Sequence, residues 1–171
     1  VAYSYIGPKL SHAIYRNGTI GQAKKDLEAS ARELSAQLKN AVNGDAWVSV
    51  NKGLVTRSSA VIPIISLYLS ILFKVIKAKG IHEGCIEQME RLFAERLYTG
   101  ENFAAGNVPV DENNLIRIDD WEMRDDVQAE VDKCMNAITN DNLKEYCDLA
   151  GYKHDFLAAN GFDVEGVDYS D

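Results

Sequence analysis

Cysteine is scarce in this sequence and does not pair: there are three residues, Cys85, Cys134 and Cys147, widely separated, with no CxxC and no histidine pair at zinc-ligand spacing. Neither a disulfide scaffold nor a structural metal site fits, so no metal is expected. Reduced thiols in a cytoplasmic protein fit better. A basic excess is also missing. Twenty-six acidic against 18 basic residues leave a formal charge of -8, which repels phosphate backbones and anionic membrane surfaces, so nucleic acid is not an expected partner. The acidic residues are spread along the chain, as on a solvated surface. The most apolar stretch, Val61 to Ile76, falls short of the roughly 20 residues a spanning helix needs. It also contains Pro63, Ser66, Tyr68, Ser70 and Lys74. A buried helix is predicted there, with no stable membrane insertion. The first residues lack an initiator Met, a basic segment and a long apolar run, so they do not form a signal peptide. They read as a chain cut inside a β-strand.

What is present is an α/β pattern. The length suits one compact unit. Residues 1–6 place β-formers at alternate positions and stop at Gly7-Pro8. From Thr19 the period changes: Ile20, Ala23, Leu27, Ala31, Leu34 and Leu38 recur at three- and four-residue steps, as on an amphipathic helix. Thr19 and Gln22 have the form of a capping box at its start. Ala46-Trp47-Val48-Ser49-Val50 reads as a second strand ended by Asn51-Lys52-Gly53. Strand, helix, strand is a crossover between parallel strands, and its functional loops belong at the strands' carboxyl ends. Loops 7–18 and 51–60 hold those positions.

The remainder is mostly helical. Helices are predicted over 60–79, over 82–98 with Ile86, Met89, Phe93 and Leu97 inward, after Asp119-Asp120, and after Thr139 or Asn140. A small hairpin is predicted over 108–118 around the polar turn Asp111 to Asn114. The tail 161–169 is glycine- and acid-rich, and its apolar residues are expected to pack back on the body. The fold class predicted is thus α/β: part of a Rossmann-like parallel sheet, related to short-chain reductases, with a helical carboxy-terminal portion and a small hairpin. His82, beside Glu83 and Cys85, has no partner at ligand spacing and reads as a cap or surface group. His12 and His154 have no more support, although His12 falls near the first loop.

Composition and period stop short of a reaction. The runs Tyr3-Ser4-Tyr5-Ile6-Gly7-Pro8, Ile14-Tyr15-Arg16-Asn17-Gly18-Thr19-Ile20-Gly21-Gln22-Ala23-Lys24 and Asn51 to Pro63 are more informative. With the blocks His82 to Gln88, Asp119-Asp120-Trp121-Glu122 and Gly151-Tyr152-Lys153-His154, they resemble the FabV-type enoyl-acyl-carrier-protein reductases and their trans-2-enoyl-CoA reductase relatives, over essentially the whole chain. That family's signature, a tyrosine and a lysine with eight residues between them, falls on Tyr15 and Lys24. Nine residues of continuous helix turn through about 900 degrees, half a turn short of the same face, so Arg16-Asn17-Gly18 must break the helix if the two are to converge. On spacing alone, Tyr15 is a half-buried loop tyrosine and Lys24 a surface helix lysine. The surrounding match reverses that preference.

The resemblance implies NADH-dependent reduction of the trans-2 double bond of enoyl thioesters in fatty acid biosynthesis. In it Tyr15 donates to the thioester oxygen, while Lys24 holds the nicotinamide ribose and lowers the tyrosine pKa. Tyr5 becomes the substrate-side tyrosine, Leu54, Val55 and Thr56 the cofactor-side loop, and Phe73 and Ile65 walls of the acyl channel. Packed strand and core residues are the ordinary readings of Tyr5, Phe73 and Ile65. The family's glycine-rich phosphate loop is expected in an amino-terminal half that precedes these residues and acts as their partner, so residues 1–171 alone are expected to bind dinucleotide poorly and to be inactive. The thioester carrier, acyl carrier protein or coenzyme A, is left open. The alternative function is an isolated, non-catalytic helical module that binds a partner through the apolar helix 60–79.

Overall fold

A computed structural model describes residues 1–100 and 107–170. The chain divides into two compact units where its length suggested one: Val1–Gly53 with Glu83–Met123, and Leu54–His82 with Arg124–Asp171. The physical reason is that there are two cores, one built on a sheet and one on helices.

The first unit holds a parallel sheet in the order β1 (Ala2–Ser4), β2 (Val48–Val50), β3 (Leu115–Arg117). Ala2, Tyr3 and Ser4 lie opposite Val48, Ser49 and Val50, which in turn lie opposite Leu115, Ile116 and Arg117. Side chains alternate between the two faces of a strand, so Val48, Val50 and Leu115 point to one side, with Ile6, and meet Leu27 and Ala31 of α2 (Thr19–Val42). Ile116 points to the other side, into a cluster with Ile118, Leu92, Leu97 and Val108. Leu92 ends α5 (Cys85–Leu92), which continues into a wider five-residue turn over Phe93–Leu97. Both faces of the sheet are thus covered, as parallel strands require.

The parallel α/β class agrees with the sequence reading, but the hairpin does not form. Asp111 takes the amides of Asn113 and Leu115 on its carboxylate at 2.9 and 3.0 Å, and Asn114 turns through φ 62°. This polar turn leads the chain into β3, which pairs in parallel with β2 rather than with residues 108–110.

Two predicted helix faces are also shifted. On α2, Ile20 and Leu34 are exposed, whereas Gly21 and Glu28 are buried. On α5, Ile86 is exposed, whereas Gln88, Arg91 and Leu92 are buried. A stripe drawn through apolar residues misses a face that buries polar groups.

The second unit is helical: α3 (Arg57–Ala60), α4 (Pro63–Ala78), α6 (Asp125–Ala137), α7 (Leu143–Tyr146) and α8 (Leu149–Ala158). Pro63 starts α4 where its missing N–H costs nothing. This helix packs against α3, α6 and α8, and its residues from Tyr68 to Phe73 are all buried. Its polar groups are used: Ser66 Oγ accepts from Tyr152 at 3.1 Å, and the Ser70 carbonyl accepts from the Asp148 amide at 2.8 Å. The apolar surface required by a non-catalytic docking module is therefore covered within the chain. No described helix is long and apolar enough to cross a membrane. The tail also departs from expectation: Phe162, Val164, Val167 and Tyr169 are exposed. The Tyr169 hydroxyl closes the tail on itself, between the Val164 amide and the Gly161 carbonyl.

Candidate active site

In the first unit, the chain leaving β1 turns at Gly7, whose φ of +69° is a conformation that favours glycine. A Cβ there would also strike the Tyr5 and Ser11 hydroxyls. A short helix, α1 (His12–Tyr15), follows and ends at Tyr15, so Tyr15 closes a helical turn where a loop position was expected. Arg16-Asn17-Gly18 breaks the helix as the spacing required, and α2 starts at Thr19 with Gly18 as its N-cap. Thr19 is thus the first helical residue, not the cap. Gly21 lets α2 pass close to the break, because a Cβ there would run into the backbone of Arg16.

This path brings Tyr5, Tyr15 and Lys24 together. The Tyr5 and Tyr15 rings meet edge to face, with centroids 5.1 Å apart and planes at 81°. The Lys24 ammonium lies 5.6 Å from the Tyr15 ring centroid and donates to Ser4 Oγ at 3.3 Å. Arg16 pairs with the buried Glu28 at 2.6 Å. Burial pushes the Tyr15 phenol above its ordinary pKa. This differs from the lowering expected from Lys24: the cause of the shift is desolvation of the phenolate. Lys24 itself is held below its ordinary value, by burial first and by the Arg16 charge second, with Glu28 opposing both.

The Tyr5 hydroxyl donates to Glu122 Oε1 at 3.0 Å. Sequence reasoning did not single out Glu122 for a role, although it lies in the Asp119 to Glu122 block that carried part of the resemblance. Ser4, Arg16 and Glu28 were missed as well. The only signal for them was their position inside the matching runs. His12 does lie at the first loop, its Nε2 3.2 Å from the Gly7 carbonyl oxygen.

The other predicted site residues belong to the second unit. Thr56 is the N-cap of α3: its hydroxyl accepts from the Ser59 amide at 3.1 Å, and its own amide donates to Ser59 Oγ at 2.9 Å. The Leu54 carbonyl also accepts from Ser59 Oγ, at 3.1 Å, and Val55 is buried. Ile65 and Phe73 are fully buried on α4. The Phe73 ring packs edge-on against His82 at 4.9 Å. His82 is thus half-buried, and Gly84 rather than His82 caps the helix that follows. Among the described residues no cluster of three or more His, Cys, Asp and Glu side chains is placed to hold a metal.

A parallel sheet whose first strand leads to a buried tyrosine, with a lysine in the second turn of the helix beyond the break, brings a phenol and an ammonium to one place. Residues 1–98, more than half of the chain, match the family model described as the trans-2-enoyl-CoA reductase catalytic region, and residues 110–171 match one described as the enoyl reductase FAD binding domain. The chain belongs to the trans-2-enoyl-CoA reductase family. It is 59% identical over 170 residues to the trans-2-enoyl-CoA reductase [NADH] of Brachyspira hyodysenteriae, covering 99% of this chain and 42% of that protein. It is 55% identical over 169 residues to the enoyl-[acyl-carrier-protein] reductase [NADH] of Coxiella burnetii, covering 99% and 40%. The crystal structure of Treponema denticola trans-2-enoyl-CoA reductase in complex with NAD superposes with a TM-score of 0.90 at 59% identity, covering 99% of this chain and 41% of that one. The chain thus spans about two fifths of the length of the relatives it matches.

Proposed function

We propose that the protein containing this chain reduces the trans-2 double bond of enoyl thioesters of acyl carrier protein or coenzyme A to saturated acyl thioesters, with NADH, in cytoplasmic fatty acid biosynthesis. The observation that carries this reading is the Tyr5, Tyr15 and Lys24 cluster, with the Tyr15 phenol buried. Reduction at Cβ drives negative charge onto the thioester oxygen, so a hydrogen-bond donor must already stand where that charge develops. Tyr15 supplies that donor: a phenol carries its proton at neutral pH, and burial moves its pKa further from that range. Tyr5 lies on the substrate side.

The donor set suits a dinucleotide's ribose. An ammonium has three N–H donors, and Lys24 gives one to Ser4, which leaves donors to hold ribose hydroxyls. NADH, when bound, supplies the hydride. With the Thr56 hydroxyl engaged in its helix cap, Leu54, Val55 and Thr56 would contribute to holding the nicotinamide carboxamide mainly through main-chain groups. The pyrophosphate is held by chain outside Val1–Asp171. Among the described residues, the cavity of the second unit does not fit the flavin named in the second family model, and no step is assigned to it. A cavity of about 420 Å³ in the second unit sets Glu130 and Glu145 beside Lys74 and Lys79, with no glycine cradle for a diphosphate.

The test is turnover with crotonyl thioester and NADH. The full-length protein is expected to consume NADH, whereas purified residues 1–171 are expected not to. A full-length protein that leaves NADH untouched contradicts the function, and appreciable turnover by residues 1–171 contradicts the division of labour.

Phe73 and Ile65 are assigned to the acyl channel. Phe73→Ala should alter the ratio of activity on long to short acyl chains, since each methylene in an apolar pocket is worth about 1–3 kcal/mol of discrimination. The ratio does not depend on how much of the variant is folded, which matters for a residue 1% exposed. An unchanged ratio removes Phe73 from the channel.

A further inference from the structure

We propose that Glu122 is the positioning residue of this site, its buried carboxyl fixing at once the Tyr5 phenol and the chain that follows β2, and acting on Tyr15 through Tyr5. The inference rests on the reductase reading above. Glu122 is 0% exposed. Its Oε1 accepts from the Tyr5 hydroxyl at 3.0 Å and its Oε2 from the Gly53 amide at 2.6 Å. Gly53 directly precedes Leu54-Val55-Thr56 in the sequence. The same segment is tied a second time, because the Lys52 amide donates to the buried Gln88 at 2.9 Å.

A carboxyl group taken wholly out of water is costly unless its oxygens are used. An apolar side chain would fill position 122 without that penalty, so packing alone does not call for a glutamate. Both oxygens are spent on groups beside the site. The chain that leads to Glu122 is also held: Arg91 grips Glu83 through two hydrogen bonds of 2.6 and 2.9 Å, donates to Asp120 at 2.8 Å and lies 4.1 Å from the centre of the Trp121 ring. The residues just before Glu122 are therefore fixed.

The consequence concerns protons. A phenol has a single proton to donate, and Tyr5 gives it to Glu122. While that bond stands, Tyr5 has no proton to give a ligand, and the proton for the thioester oxygen comes from Tyr15. The edge-to-face contact at 5.1 Å then passes the fixed attitude of Tyr5 on to the Tyr15 ring.

The test is a double-mutant cycle in the full-length protein with Glu122→Gln, Tyr5→Phe and both together. Glutamine keeps the shape and an acceptor for Gly53, but it turns an N–H toward Tyr5 and so reverses that bond. Glu122→Gln is expected to lower kcat on the order of tenfold to a hundredfold, the scale of a small misplacement of reacting groups, with KM for NADH unchanged. In the Tyr5→Phe background it is expected to add nothing. The same loss in both backgrounds, or no loss in either, overturns the positioning role. If Glu122→Gln does not fold, Tyr5→Phe alone decides: a lowered kcat at unchanged KM for NADH is expected, and a wild-type kcat overturns the role. Wild-type protein without NADH-dependent turnover overturns the reductase reading and this role with it. Wild-type turnover with an additive cycle overturns this role alone.

Discussion

Tyr15→Phe in the full-length protein is expected to lower kcat on the order of a hundredfold or more, the usual loss when one oxyanion donor is removed, with NADH affinity nearly intact. Only one oxygen is deleted. The ring stays, so the edge-to-face packing on Tyr5 and the seat of the Lys24 ammonium over the ring are retained. What is lost is a hydrogen bond that strengthens as charge grows on the thioester oxygen, and such a bond affects the rate of the chemical step more than binding. Steady-state kinetics with a cofactor titration check this. Full turnover by Tyr15→Phe, with chemistry shown to be rate-limiting, contradicts the assignment.

Lys24→Met is expected to weaken NADH binding about tenfold or more, since a hydrogen bond from a charged group is worth about 1.5–3 kcal/mol, and to slow the chemical step as well. Its ammonium is half-buried, tied to Ser4 and placed over the Tyr15 ring, so its removal should disturb the proposed ribose contact and the tyrosine's surroundings together. A pH dependence follows. The charged form does the binding, and burial and Arg16 hold Lys24 below the ordinary lysine pKa. NADH affinity of the wild type should therefore decline as pH rises through that lowered value, and earlier than an ordinary lysine would predict. Lys24→Met should lack this decline. Unchanged affinity and turnover in Lys24→Met separate the residue from the cofactor.

The strand–helix–strand order and the break between Tyr15 and Lys24 were legible because each has a local cause: alternating β-formers, a helical period, and a spacing that continuous helix cannot satisfy. The buried faces of α2 and α5 were not. Their inner sides carry the half-buried Lys24 with Glu28, and Gln88 with Arg91, and such groups go inside where partners outside the helix receive them, as Asp120 receives Arg91 across 29 residues and Gln88 receives the Lys52 amide across 36. Glu122 shows the same limit most clearly. It meets Tyr5 across 117 residues of sequence, and no local pattern marks it. The hairpin failed for a related reason. A polar turn is a local signal, but the partner of β3 is decided by the free edge of β2 in the sheet.

Reduction of crotonyl thioester in heavy water by the full-length protein with unlabelled NADH is the most direct test of the central claim. The account predicts a saturated product with deuterium at Cα, from a solvent-exchangeable proton, and ordinary hydrogen at Cβ. Deuterium at Cβ, or recovery of the enoyl thioester unreduced, contradicts it.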